Sequence, residues 1–194
     1  MIRKIKIFDQ EWLELNAGMK KGSHEYHSFI FSTIRSNKPE LRTVILRDIN
    51  TSPYTISFHT DIRSQKIKDL KLNNFVSALF YDRKRSVQLR LSGSATIDYN
   101  NKITEAVWAS ITPESKVCYM GPYPPSKKIE IFKPNLPEIT PYEIDSEYEE
   151  LGYARFCRIT INIETIDWLL LHHGGHKRIL FQFKKEVSAE WIAS

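Results

Sequence analysis

A succession of short β-type segments in the first hundred residues limits the fold more than any other feature of this chain. Four segments rich in Ile, Val, Phe, Tyr and Thr are separated by turn residues: 28–35, 42–49, 54–60 and 75–81. Turn residues at 37–39 and 50–53 separate the first three. Consecutive short strands with few long crossovers favour an antiparallel barrel, here expected to be closed, over a doubly wound sheet.

A fifth segment, 86–99, shows which way its side chains point. Val87, Leu89 and Leu91 alternate with polar residues, so we expect these three to fill the barrel while Gln88 and Arg90 face outward. Gly93 interrupts the segment and predicts a bulge where the long strand bends.

The rest of the chain adds helices and further strands around this frame. Asp9 can cap a first helix with an apolar stripe at helical spacing, and further helices are expected at 64–72, 103–110 and 113–119. Three later strands are expected at 153–163, 167–172 and 178–184. A proline-rich, acidic stretch at 121–152 predicts a long surface excursion, too short to be a domain, so residues 1–194 are taken as one domain.

Composition narrows the functional classes. The net charge is +5 and the pI about 9.1, but basic and acidic residues are interspersed, which gives no support for nucleic-acid binding. Two basic clusters, 63–71 and 83–85, suit either solvated faces or an anion site. No apolar run reaches eighteen residues, so we expect a cytoplasmic protein without membrane contact. The two cysteines lack partners at metal-binding spacing, so no metal site is expected.

The segment 58–66 runs from a strand end into a helix start and carries the first indication of a ligand. The unpaired N–H groups and the positive dipole end of a helix N-terminus favour anions. Thr60 and Ser64 add hydroxyls, and Lys66 adds a charge. The segment therefore predicts a phosphate cradle, with ordinary helix capping as the alternative.

The preceding strand adds two guanidinium groups, each able to hold a phosphate through two hydrogen bonds. Arg42 and Arg47 are five residues apart and so point to opposite faces of an ideal strand. Either the strand twists, or the two arginines have different roles.

The order of these signals resembles the pyridoxamine 5'-phosphate oxidase family. In that family an Arg-x-Val-Leu-Leu-Lys-like strand, a Tyr-Thr-x3-Ser-x-Lys turn, a Gln-Val-x-Val-x-Gly strand and a late Trp followed by an Arg surround FMN. The matching residues here are 42–47, His59-Thr60 with Ser64 and Lys66, 88–93, and Trp168 with Arg178. The resemblance implies a mainly β fold with peripheral helices, an antiparallel split β-barrel that binds FMN.

The resemblance also implies which residues form the cofactor site. Arg42 and Lys66 would hold the FMN phosphate beside Thr60, Ser64 and Gln65. The residues that would border the flavin are Thr43, Val44, Arg47 and His59. Gln88 and, from a second subunit, Trp168 and Arg178 would complete the pocket, so a homodimer with FMN at its interface is implied.

The resemblance is weakest on the substrate side. Where the oxidase has a Tyr and an Arg ahead of an acidic-Ser pair, this chain has Val107 and Ile111 ahead of Glu114-Ser115, and Gly174 replaces a further Arg. The substrate contacts that remain are Arg47, Ser115 and His176. We therefore expect an FMN-dependent oxidoreductase acting on another small substrate. The alternatives are an authentic pyridoxamine 5'-phosphate oxidase, a non-catalytic flavin-binding protein, and a nucleic-acid or heme-binding module.

Overall fold

A computed structural model describes residues 2–184 and 187–194 of the chain. In these residues nine strands form one antiparallel sheet: β1 (Ser28–Arg35), β2 (Lys38–Ile45), β3 (Asp48–Thr51), β4 (Tyr54–Asp61), β5 (Phe75–Asp82), β6 (Val87–Asp98), β7 (Phe156–Leu170), β8 (Lys177–Phe183) and β9 (Val187–Trp191). The strand order is β2-β1-β5-β6-β7-β4-β3, and β8 lies between β7 and β9.

The longest strand, β7, splits the sheet. One side of β7 pairs with β6 along most of its length. Its other side pairs with β4 through residues 156–162 and then with β8 through 165–170. Because β7 changes its partner halfway, the sheet branches at this strand into one arm of β4 and β3 and another of β8 and β9.

The sheet is open, so the expectation of a closed barrel is wrong. Its edge strands are β2, β3 and β9, and no ladder in the described part of the chain joins β2 to β3. Only Leu46 and Arg47 connect these two strands, and the Arg47 N–H donates to the Ser57 carbonyl at 2.8 Å. The chain therefore turns between β2 and β3, at the position where a closed barrel would have a hydrogen-bonded ladder between these two strands. The split β-barrel implied by the resemblance is confirmed.

The core fills the concave side of this sheet. Val87, Leu89 and Leu91 are buried there, as the alternation predicted. The register of β6 against β7 shifts at Ser92/Gly93, which confirms the bulge. A Cβ at Gly93 would lie 1.9 Å from the Asn162 carbonyl oxygen, so glycine is required for this close approach.

Five helices of the described residues lie around the sheet: α1 (Ile2–Lys20), α2 (Gln65–Leu72), α3 (Lys102–Ser110), α4 (Pro113–Lys116) and α5 (Ser146–Tyr153). None of them is both long and apolar enough to cross a membrane. A second, smaller core of Trp108, Met120 and Phe156 lies between α3 and the sheet. The predicted excursion is irregular until a short helical turn at Pro141–Glu143 and then α5.

Several predicted boundaries need correction. The first turn is at Ser36-Asn37, both with positive φ, and Pro39 lies inside edge strand β2, where its missing N–H is tolerated. The predicted strand 42–49 is the end of β2 and the start of β3. The predicted strands 153–163 and 167–172 are one strand, β7, and β9 was not predicted. The helix α1 begins well before Asp9, at Ile2.

Candidate cofactor site

A cavity of about 610 Å³ opens between the β1–β2 hairpin, the start of α2 and residues 124–127 of the excursion. We call it the basic cavity. Among the described residues its lining includes six cationic side chains and one carboxylate: Arg35, Arg42, Arg63, Lys66, Lys68, Lys127 and Glu40. Such an excess of positive charge suits an anion with more than one negative charge.

The local sequence explains why the chain turns at this point. The Asp61 carboxylate, at the end of β4, accepts the Arg63 backbone N–H at 2.7 Å and also binds its guanidinium. Ser64 then precedes the first residue of α2 but makes no side-chain capping bond. Its hydroxyl instead accepts a hydrogen bond from Lys66 Nζ at 3.3 Å. Ordinary capping therefore does not account for Ser64.

Arg42 and Lys66 are the partly buried cations of this cavity that are least neutralised by carboxylates, whereas Lys68 and Lys127 are exposed to solvent. Lys66 Nζ donates to the Thr60 hydroxyl at 2.8 Å, and no carboxylate of the described residues pairs with it. The nearest carboxylate to Arg42 belongs to Asp69, at 4.0 Å. Burial lowers the pKa of both groups, and the charge of Arg42 lowers the pKa of Lys66 further. A bound anion would relieve both effects.

The other two partly buried cations of the cavity, Arg35 and Arg63, are already committed to carboxylates within the chain. Arg35 pairs with the buried Asp69 at 3.1 Å, and the Gln65 amide donates to the same carboxylate at 3.2 Å. Arg63 pairs with Asp61 at 2.7 Å. These residues shape the cavity and hold its walls, while Arg42 and Lys66 remain to neutralise a ligand.

One wall comes from the excursion, and the sequence did not indicate it. Arg63 donates to the carbonyls of Gly121 and Tyr123, each at 3.3 Å, and Arg155 donates to Gly121 at 2.8 Å. These bonds fix the start of the excursion so that residues 124–127 line the basic cavity. Nothing in a proline-rich loop by itself specifies such a long-range contact.

A second cavity, of about 380 Å³, lies under α4. We call it the Arg47 cavity. Its lining includes Arg47, His59, Ile111, Thr112, Glu114, Ser115, Cys118 and Tyr119. Arg42 and Arg47 thus line different cavities, in line with the alternative in which they have different roles. Thr60 and His59 are consecutive on β4 and point to its opposite faces, so the two cavities flank the same strand end.

The His59 imidazole is neutral in this setting. Burial lowers its pKa to about 4, and the nearby charges of Arg47 and Arg158 act in the same direction. Its ring lies edge-on to Phe156 with 4.9 Å between centroids. The residue can therefore offer a hydrogen bond to a ligand near neutral pH without adding charge.

Three further predicted residues lie on the convex side of the sheet, which we call the outer face. Thr43 is exposed there on edge strand β2. Gln88 and Arg178 both face Leu169 across the ladders of β7, and Arg178 pairs with Asp167 at 2.7 Å. None of these three residues lines either cavity described above. They can therefore contact a bound ligand only if a second chain covers the outer face.

Trp168, Val44 and His176 do not line either of the two cavities. Trp168 belongs to the core, and its indole N–H donates to Glu11 at 3.1 Å, because alternation on β7 places it opposite to Leu169. A flavin contact of its side chain is not supported by this placement. Val44 packs against the same core. His176 lies in an exposed turn, where it accepts the His172 N–H, away from Arg47 and Ser115.

The two basic clusters seen in the sequence have different roles in the structure. Arg63, Lys66 and Lys68 of the first cluster line the basic cavity. In the second cluster Arg85 binds Glu11 and Asp82, so it is a structural residue and the anion-site alternative is wrong for it.

Comparison with known proteins points to one family. Residues 9–98 match the model of the FMN-binding domain of pyridoxamine 5'-phosphate oxidase. The pyridoxine/pyridoxamine 5'-phosphate oxidase 2 of Arabidopsis thaliana is 27% identical over 171 residues, which cover 82% of this chain and 83% of that protein. The pyridoxine/pyridoxamine 5'-phosphate oxidase of Acinetobacter baylyi is 33% identical over 91 residues, 46% of this chain and 38% of that protein.

Solved structures share the fold over nearly the whole chain. A pyridoxamine 5'-phosphate oxidase-related, FMN-binding protein of Nostoc punctiforme superposes with a TM-score of 0.73 at 20% identity, covering 96% of each chain. PhzG of Burkholderia lata, solved with tetrahydrophenazine-1-carboxylic acid, gives a TM-score of 0.70 at 14% identity and covers 98% of this chain and 92% of its own. The chain is therefore similar to the pyridoxamine 5'-phosphate oxidase-like proteins, with an FMN-binding domain match at residues 9–98, and it shares their split-barrel fold.

Proposed function

We propose that this protein is an FMN-dependent oxidoreductase that works as a homodimer and acts on a small molecule bound in the Arg47 cavity. The observation that carries the proposal is the convergence of Arg42 and Lys66, from two elements distant in sequence, with the Thr60 and Ser64 hydroxyls at the start of α2. Two incompletely neutralised cations and a helix N-terminus match a terminal phosphate.

The proposed roles follow from what each group can offer. Arg42 and Lys66 neutralise the FMN phosphate, and the excursion wall excludes water from one side of it. Bound FMN supplies reversible hydride transfer, and the protein supplies position and electrostatics. Arg47 and Ser115 hold the substrate, while neutral His59 contributes a hydrogen bond.

A preformed second cavity beside the basic cavity favours a catalyst over a non-catalytic flavin carrier, which has no need of a substrate pocket. PhzG was solved with a small carboxylic acid, and the oxidases mentioned above are named for pyridoxine and pyridoxamine 5'-phosphate, which fits the same proposal. Turnover of pyridoxamine or pyridoxine 5'-phosphate by the purified protein would instead identify it as an authentic oxidase of that vitamin.

The first experiment identifies the cofactor and tests the phosphate contacts. Mass analysis of the flavin released from purified protein should give FMN, because the basic cavity suits a single terminal phosphate group. In fluorescence titrations of apo-protein, Arg42→Met and Lys66→Met should each raise the dissociation constant of FMN roughly ten- to a hundredfold, as expected for a charged hydrogen bond worth about 1.5–3 kcal/mol.

Lys71→Met is the matched control, because Lys71 is an exposed cation on α2 that does not line the cavity. Circular dichroism verifies that all three variants fold. FAD as the cofactor, or unchanged FMN affinity in both test variants, would overturn the proposed phosphate site.

A further inference from the structure

The two cavities differ sharply in charge. The basic cavity has six cations for one carboxylate among its described lining residues. The Arg47 cavity has one cation, Arg47, and one carboxylate, Glu114, and no carboxylate of the described residues forms an ion pair with Arg47. A doubly charged group is therefore matched by the first cavity, and a singly charged group by the second.

Glu114 forms no ion pair with Arg47, because its carboxylate is exposed to solvent and is held by its own turn. Hydrogen bonds from its own backbone and from Thr112 lower the pKa of Glu114. The neighbouring Arg158 is occupied as well, since its guanidinium pairs with Asp48 at 2.7 Å and donates to the Ser57 hydroxyl at 3.1 Å. Arg47 is thus the cation of this cavity that is available to bind an anionic ligand.

The remaining lining is compact and largely uncharged. Ile111 and Tyr119 offer apolar surface, and Thr112 and Ser115 offer hydroxyls. A volume of about 380 Å³ is near the lower end for small-molecule sites, so it admits a molecule of one or two rings at most.

We infer that the Arg47 cavity binds small, ring-containing substrates with a single carboxylate, held by the Arg47 guanidinium through two parallel hydrogen bonds, in preference to phosphate esters. The inference rests on the proposed function in taking this cavity as the substrate site. It deepens that proposal by naming the substrate class.

Cys118 provides a direct measure of occupancy. Its thiol is exposed and its residue lines the cavity, whereas Cys157 is fully buried and burial raises its pKa to about 12. Iodoacetamide, which is small and neutral, should therefore alkylate Cys118 selectively, and peptide mass analysis can follow the rate. A molecule that fills the cavity should slow this reaction.

The probes are benzoate, phenyl phosphate and benzyl alcohol, which share a ring and differ in charge. At pH 7.5 benzoate should halve the alkylation rate at a concentration at least tenfold lower than either of the other two. Equal or better protection by phenyl phosphate would overturn the inference.

Two variants of lining residues and one control variant test whether charge decides which probe binds. Arg47→Met should weaken benzoate protection at least tenfold, whereas Arg83→Met, a change of an exposed arginine elsewhere, should leave it unchanged. Ile111→Arg adds a second cation to the cavity and should make phenyl phosphate the better protector. Benzoate protection that survives Arg47→Met would contradict the assignment of Arg47. If that variant does not fold, the ranking of the three probes on the natural protein decides.

The same measurements are made with FMN-free and FMN-loaded protein, so the two proposals can fail separately. A protein that takes up no FMN but ranks benzoate first refutes the flavin function and keeps the carboxylate site. A protein that binds FMN but prefers phenyl phosphate refutes the substrate class alone.

Discussion

The half-buried imidazole of His59 couples the Arg47 cavity to pH. Its pKa is about 4 in the folded protein, lowered by burial and by two neighbouring guanidinium groups, against an ordinary value of 6.5. Above pH 6.5 the ring is neutral in both folded and unfolded chains, so it adds no pH dependence there. As the pH falls from 6.5 toward 4, the unfolded chain takes up the proton first, and the folded state loses stability.

We expect His59→Gln to remove this acid sensitivity. Between pH 7.5 and pH 4.5 the natural protein should lose about 2–3 kcal/mol more unfolding free energy than the variant, which follows from a pKa difference of about 2.5. Urea unfolding at the two pH values measures the difference. His173→Gln, at an exposed turn, should behave as the natural protein does. Equal acid sensitivity in natural and His59→Gln proteins would mean that the imidazole is not desolvated.

The helix α1 is attached to the sheet by a buried polar network as well as by its apolar stripe. Glu11, almost fully buried, accepts two hydrogen bonds from Arg85 at 2.9 Å, one from the Tyr26 hydroxyl and one from the Trp168 indole. Asp82 binds the same guanidinium. Every polar side-chain atom buried in the described residues has a partner, so removing the central carboxylate leaves several donors unsatisfied.

We expect Glu11→Ala to destabilise the protein by about 3 kcal/mol, as is typical when one partner of a buried ion pair is removed. The triple change Glu11→Leu, Asp82→Asn and Arg85→Leu should recover part of this loss, because no isolated charge then remains. Glu14→Ala, on the same helix but at a more exposed pair with His24, is the control and should cost less than about 1 kcal/mol. Thermal unfolding of the four proteins measures these differences. A loss for Glu11→Ala no larger than the control would show that the apolar stripe alone holds α1.

The molecule as a whole leaves an apolar region on its outer face. A hollow of about 470 Å³ there is lined mainly by Ile30, Leu41, Leu79 and Leu180, and a second hollow of about 390 Å³ adds Ile34 and Phe75. A continuous apolar region of this kind is typical of a protein interface. The Arg90–Asp167–Arg178 ion pairs lie at its margin. The proposed dimer would bury this region and bring Gln88 and Arg178 of one protomer to its partner.

We expect Ile30→Asp to dissociate the proposed dimer, because it places a carboxylate in the middle of the outer face. Light scattering at low micromolar concentration should then report a monomer, and the affinity for FMN should fall, since a ligand that bridges two chains binds the assembled state better. Leu72→Asp, at a fully exposed position on α2, should remain dimeric. A natural protein that is monomeric and still holds FMN tightly would show that one chain is sufficient for the pocket.

Local sequence patterns were enough to predict most of the secondary structure. Strands β1, β4, β5 and β6 agree with their predicted bounds within one residue, because alternation of apolar side chains is a property of neighbouring residues. The cradle of Thr60, Ser64 and Lys66 was also visible, since all three lie within seven residues of one strand-to-helix junction.

What depended on distant residues could be decided only by the tertiary structure. The sequence by itself determined a mainly β chain with a bulge at Gly93, and it predicted a phosphate cradle at the junction of β4 and α2. It did not determine that β7 pairs first with β4 and then with β8, because β4 lies far away from β7 along the chain. Nor did it show that Arg42 and Arg47 serve separate cavities, or that residues 124–127 wall the first of them. Spacing along a strand sets the direction of a side chain, but the groups that it meets are set by how remote segments pack.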